Sequence, residues 1–169
     1  MHITRSTDNI FQRVAGSIQS PLDESTSQII GATLNSLLVD LIDVSLQGKQ
    51  MHWNLTGPEF PTLHAKLDEI VDLARSGYDT IAERSIQLGV PVNGMPEVVA
   101  QSSLPNAQAG FIDGQTALRF LSSLLLEVAH RIRGAIQTTG QEDLLTQDIL
   151  FQIGEDFEKQ HWMINAQIV

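Results

Sequence analysis

The chain contains no cysteine. Disulfides, thiolate metal ligands and a cysteine nucleophile are therefore all excluded, which suits an intracellular protein and equally one that handles oxidants. Aromatic residues make up only 5%, so a core must be built mainly from aliphatic side chains. Positive charge is scarce as well: ten Lys and Arg stand against twenty Asp and Glu, for a formal net charge of −10. The few cations are scattered, whereas a duplex-binding surface needs them clustered. No Gly-rich phosphate loop occurs, and no serine lies in a nucleophile-elbow context. The N-terminus lacks a continuous apolar core of signal-peptide length, and no later run was expected to reach the ~18 apolar residues of a membrane span. A soluble, cytoplasmic protein with no membrane association is the expectation.

What is present is helical periodicity. The length of 169 residues suits one domain with a substantial core. Residues 1–22, carrying Gly16, Ser17, Ser20 and Pro21, read as an N-terminal arm. The bundle domain is expected over 23–169. Its first helix should run from about Asp23 to Asn54, with Leu34, Leu37, Leu38, Leu41, Val44, Ser45 and Gly48 on one side. Gly57, Pro58 and Pro61 break the pattern. A second helix follows from about Pro61 to Leu88, and Gly89, Pro91 and Gly94 end it. The connector 89–112 has room for a short helix at Glu97–Gln101. A third long helix should begin after Asp113, a suitable N-cap, and end near Thr139. A fourth fills Gln141 to about Gln167, with Glu142 and Asp143 favouring its N-terminal dipole. The fold class is all-α, a four-helix bundle with no convincing strand. The long central connector suits a ferritin-like crossover.

The chemistry concentrates in Lys49–Arg84. At 100° per residue, His64, Asp68, Asp79 and Glu83 fall within about 100° of arc, roughly 130° from the helix's apolar stripe. The face therefore does not point into the chain's own core. Asp68 and Asp79 lie eleven residues apart, about 16 Å along the axis, far beyond metal–ligand bonds of roughly 2.0–2.6 Å. One straight helix cannot bring both pairs to one ion. A two-fold-related antiparallel copy can, which places the site at a dimer interface. His52, near the end of the first helix, lies in line with its apolar stripe, so a buried structural histidine competes with a ligand role. Imidazole and carboxylate donors suit iron, manganese or zinc rather than copper(I).

Two Glu-x-x-His pairs, Glu127/His130 and Glu158/His161, resemble the ligand pairs of bundle-core di-iron proteins. Helical phase argues against both: the Glu127/His130 face points about 160° from the stripe Leu118, Leu121, Leu125, Val128, Ile132. His161 is nearer its apolar side, but Glu158 is not. Asp40 and Asp43, with Asp143, Asp148 and Asp156, read as solvated or ion-paired.

The run His52-Trp53-Asn54-Leu55-x-Gly57, then Leu63-His64 and Asp68, resembles the first signature of the Dps family of mini-ferritins (DNA-binding proteins from starved cells). Asp79-x-Ile81-Ala82-Glu83-Arg84, followed by Leu88-Gly89, resembles the second. The resemblance spans the first helix through the fourth. It implies a ferritin-like four-helix bundle, with a short helix in the crossover connector, assembling as a hollow dodecamer of two-fold dimers. It implies ferroxidase sites at those interfaces: His52, His64 and Asp68 from one subunit, Asp79 and Glu83 from its partner. That raises His52 to a ligand. Trp53 would sit beside the centre, able to take up an electron or a stray radical, with plain packing as the other reading. Arg84 would be a structural ion-pair partner. The implied activity is oxidation of Fe(II), preferably by hydrogen peroxide, and storage of ferric oxide in the cavity. Asp143 and Asp148 are the residues picked out for a three-fold entry pore. The alternative is a non-enzymatic nucleoid protein of the same fold. Family members that bind DNA use lysine-rich tails, and this arm has two arginines and no lysine. Twelve copies would carry about −120 formal charge, so DNA binding should be weak or absent. A plain interaction bundle with a solvated acidic face is the third reading, opposed by the His52-to-Glu83 spacing.

Overall fold

The computed structural model describes residues 18–140 and 142–168. The expected N-terminal arm therefore lies outside the described residues as far as residue 17. Four long helices, α1 (Glu24–Asn54), α2 (Phe60–Gln87), α4 (Gly114–Thr139) and α5 (Leu144–Asn165), form the bundle, and a single-turn α3 (Pro96–Val99) lies in the central connector.

Capping sets two of the four starts. Asp23 accepts from the Thr26 amide at 3.0 Å and the Thr26 hydroxyl at 2.7 Å. Asp113 does the same for Thr116 at 3.0 and 2.7 Å. Each carboxylate satisfies one of the amides that a helix leaves without an internal partner. The last long helix begins three residues later than its periodicity suggests, because Asp143 is the residue preceding its first turn. Residue 141 lies outside the described set.

α1 is long and apolar enough to cross a membrane by length and composition alone, contrary to the expectation that no run would qualify. More than half of that stretch is buried inside the bundle. Its apolar character follows from packing against two neighbours, since α1 meets α2 along most of its length and also touches α4 and α3. Leu34, Leu41, Leu67, Ile70, Ile81, Leu121, Leu124 and Phe157 are fully buried in one continuous core.

The connector crosses the bundle. The Asn93 amide donates to Asn35 Oδ1 at 2.7 Å, and Ser102 Oγ reaches Asp40 Oδ1 at 3.4 Å. Farther on, the Ala107 amide donates to Gln47 Oε1 at 2.7 Å. These contacts advance steadily along α1, so the chain is carried from one end of the bundle to the other before α4 begins. α4 therefore starts beside the start of α2, the ferritin-like arrangement. Where the connector arrives, Leu55–Thr56 (β1) pairs in parallel with Ile112–Asp113 (β2). No strand was expected. This two-residue pair forms because two extended exits meet at one end of the bundle, a tertiary juxtaposition invisible to local pattern. Arg131 clamps the middle of the connector, with Nη1 2.9 Å from the buried Asp40 and Nη2 donating to Ser103 Oγ at 3.0 Å.

Candidate metal centre

The turn between α1 and α2 builds one half of the predicted site. β1 leaves α1 in extended conformation, and Gly57 takes φ 102°, a backbone conformation that favours glycine. The Phe60 amide closes the turn on the Gly57 carbonyl at 3.1 Å, and Pro61 occupies the first turn of α2. The last turn of α1 is thereby folded back on the first turn of α2.

His52 and His64 meet across that fold, rings stacked with centroids 3.6 Å apart and planes 25° apart. Phe60 flanks the His64 ring at 4.7 Å. Each imidazole Nδ1 lies 3.1 Å from the other residue's backbone carbonyl. With Nδ1–H donated to that carbonyl, the lone pair is on Nε2, the arrangement of a metal-binding histidine oriented by its backbone. His52 is buried and His64 half-buried. Asp68, one turn beyond His64, places Oδ1 3.2 Å from His52 Nδ1 and is ion-paired with Lys49. The Lys49 hydrogen bond is the main reason its carboxyl lies below the ordinary carboxylate range, and the Lys49 charge adds to it. The structure thus brings His52, His64 and Asp68 together.

It does not bring Asp79 and Glu83 to them. Both are exposed on the outward face of α2, which runs unbroken through Gly77. About 16 Å of helix separates Asp68 from Asp79. Among the described residues, no three His, Asp or Glu side chains of one chain are grouped to hold a metal ion.

Arg84, next to Glu83, turns the other way. Its Nη2 donates to both oxygens of Asp143 at 3.0 and 2.8 Å, and its Nε donates to Thr146 Oγ1 at 2.8 Å. Arg84 is the structural ion-pair partner expected of it. Asp143 is a correction. Picked out for a pore, it is buried, with both oxygens held by Arg84 and the Thr146 hydroxyl bound to one of them. It has no free face to offer a passing cation. Asp148 is exposed and accepts from Gln152 Nε2 at 2.9 Å. Trp53 is 69% exposed, so its ring is no part of the chain's own core. The two Glu-x-x-His pairs are engaged otherwise: Glu127 binds Arg131 at 3.0 Å, Glu158 binds Arg133, and His130 is exposed.

Sequence reading assigned no role to Lys49, nor to the reciprocal histidine–carbonyl bonds. Lys49 could have been found, since it lies three residues before His52 and so shares its face of α1. The carbonyl bonds could not, because they depend on how closely two helix ends approach.

The ferritin-like domain model matches residues 31–169. Among curated relatives, the DNA protection during starvation protein of Agrobacterium fabrum is 36% identical, over 84% of this chain and 88% of that one. With this relative, the match covers most of both chains and includes both signatures' span. The chain belongs to the Dps family. Another relative in sequence, the fine tangled pili major subunit of Haemophilus ducreyi, is 32% identical over 87% of this chain and 78% of that one. Among solved structures, Dps from Microbacterium arborescens in the high iron form superposes with TM-score 0.83 at 26% identity, covering 88% of this chain and 97% of that one. The Dps fold is thus shared over nearly the whole of the described bundle.

Proposed function

We propose that this Dps subunit is a ferroxidase and iron store, working as a hollow dodecamer built from two-fold dimers in the bacterial cytoplasm. The observation that carries the reading is the stacked His52/His64 pair beside Asp68. Its two Nε2 lone pairs are left free by backbone hydrogen bonds, and Asp79 and Glu83 wait at the far end of the same exposed face. An antiparallel second copy of α2 brings its Asp79 and Glu83 beside His52, His64 and Asp68, and the symmetry makes two such sites per dimer. Two nitrogens and three carboxylates form a borderline-to-hard donor set that fits iron. The high iron form of the Microbacterium relative supports the same substrate.

Fe(II) is the substrate rather than a resident group. Two Fe(II) ions each give one electron to one hydrogen peroxide, which takes up two protons and leaves as two waters. Using the electrons in pairs avoids the hydroxyl radical, and DNA and protein are thereby protected. The residues' task is to hold the ions side by side and to stabilise the higher charge of the ferric product with carboxylates. Trp53, exposed and next to His52 in the chain, is in this reading the residue that donates an electron when iron supplies only one. Asp148 is the remaining residue for a three-fold entry pore, where negative charge draws in cations.

The test is anaerobic Fe(II) loading, then peroxide addition while ferric absorbance is followed. His52→Ala and His64→Ala are each expected to slow oxidation at least tenfold with assembly intact. Unchanged kinetics would overturn the assignment. In a gel shift at low salt and neutral pH, without divalent cations, duplex DNA is expected to run free, because a net charge of −10 per subunit repels a polyanion. Tight retardation would favour the nucleoid-binding alternative.

A further inference from the structure

Polar side chains tie α2 to α5 near both ends of their contact. At one end Arg84 holds Asp143 and Thr146. At the other, Lys66 Nζ lies 3.9 Å from the Met163 sulfur and bonds Glu69 Oε2 at 2.6 Å. This second tie is weak, because a thioether is a poor acceptor. Glu69 steadies the ammonium, and the Lys66 side chain is only 15% exposed, so the cation is held against the sulfur rather than free in water. Met163 is 36% exposed and open to a small solute, whereas Met51, at 2%, is sealed in the core.

The 3.9 Å gap has the length of a different bond. A sulfoxide S–O bond of about 1.5 Å and an N–H···O bond of about 2.8 Å, meeting at a bent angle at oxygen, span about 3.8 Å from sulfur to nitrogen. We propose that Met163 is a site of oxidation by hydrogen peroxide, and that Lys66 catches its sulfoxide oxygen and so fastens α5 to the first turns of α2. In the step, a sulfur lone pair forms the S–O bond as the O–O bond breaks. Sulfur gives up two electrons, and the distal oxygen takes the proton of the transferred one and leaves as water. The ammonium keeps its charge throughout. Rotation about the flexible methionine stem turns the new oxygen towards Lys66. A sulfoxide ordinarily loosens its surroundings, because an apolar side chain has become polar. Here it meets a donor already in position, and a charge-assisted bond replaces a weak N–H···S contact. Lys66 lies between His64 and Asp68 in α2, so the end of the helix that carries them is stiffened under oxidant. A methionine sulfoxide reductase restores the thioether. The step needs peroxide and no iron, so it is independent of the metal-centre reading.

The experiment treats the assembled, iron-free protein with graded hydrogen peroxide, maps sulfoxides by peptide mass, and follows amide exchange over residues 62–68. Every sample carries Met95→Leu, which removes a methionine that is 55% exposed. Met163 is expected to gain one oxygen while Met51 stays unmodified. Exchange over residues 62–68 should then slow by roughly tenfold, the effect of one added charge-assisted bond on local opening. Lys66→Arg retains a cation and should keep the slowing. Lys66→Leu and Met163→Leu should each lose it, the first with Met163 still oxidised. Size exclusion checks each variant, and Met163→Leu serves alone if Lys66→Leu fails to assemble. A Met163 that stays a thioether in the assembled protein overturns the proposal. So does oxidised protein whose residues 62–68 exchange as fast as before, or slowing that persists in Lys66→Leu or Met163→Leu.

Discussion

Arg84 and Asp143 are the buried ion pair of the bundle, with side chains 8% and 5% exposed. Burial pushes the Asp143 carboxyl up, but the bonds from Thr146 and Arg84, with the Arg84 charge, outweigh it and leave the group below the ordinary range. Arg84→Met strands a buried carboxylate and is expected to cost about 3–5 kcal/mol in urea unfolding. Asp143→Asn in the same background should recover part of that loss, a coupling that a double-mutant cycle measures. The sign with pH follows from the direction of the shift. A carboxyl depressed in the folded state adds stability above its unfolded value, near ~3.9, and that stability is lost as pH falls through the folded value. Asp40 behaves oppositely. Burial raises it more than Arg131 lowers it, so its contribution declines as pH rises from about 4 through its raised value. Unfolding followed between about pH 5 and 2 should show the acid loss in the wild type, and less of it in Arg84→Met.

At the scale of elements, helix contacts depend on what is missing from side chains. A Cβ at Gly31 would lie 2.5–2.8 Å from three atoms of Val90, the residue with which the connector leaves α2 and meets α1. Gly31→Ala must move the connector and is expected to cost about 1–3 kcal/mol. Gly134, inside α4, has nothing within 4 Å of the same position. Gly134→Ala should stabilise by about 0.5–1 kcal/mol, since alanine loses less backbone entropy in a helix. Opposite shifts of the thermal midpoint would separate close approach from helix propensity. A Gly31→Ala variant as stable as wild type would show that Val90 can yield.

For the whole molecule, what matters is the surface that a single subunit leaves bare. Leu144, Leu145 and Phe151 are 65%, 69% and 51% exposed around Asp148 at the start of α5. Such a group of large apolar side chains marks a contact surface in an assembling protein. Leu145→Asp is expected to reduce the assembled mass in light scattering, leaving two-fold dimers that still bind metal through α2. A full-sized shell from Leu145→Asp would place the contact elsewhere. A stable wild-type monomer would contradict the proposed site as well, because two of its five ligands come from a second copy.

Four helices, the Asp113 cap and the outward face of α2 could be inferred from local periodicity, because each follows from neighbours three or four residues apart, and the crossover from the length of the central connector. Rise per residue alone was enough to split His64 and Asp68 from Asp79 and Glu83. The β1–β2 pair, the inward turn of Asp143, the histidine–carbonyl bonds and the hold of Lys49 on Asp68 are different in kind. Each joins elements through packing, where approach distance and burial decide the partner and no pattern along the chain encodes it. The sequence by itself determined a bundle whose His64/Asp68 and Asp79/Glu83 pairs lie apart on one face of α2, and only the tertiary structure decided that His52 and His64 stack, each Nδ1 on the other's carbonyl, with Asp68 already paired to Lys49.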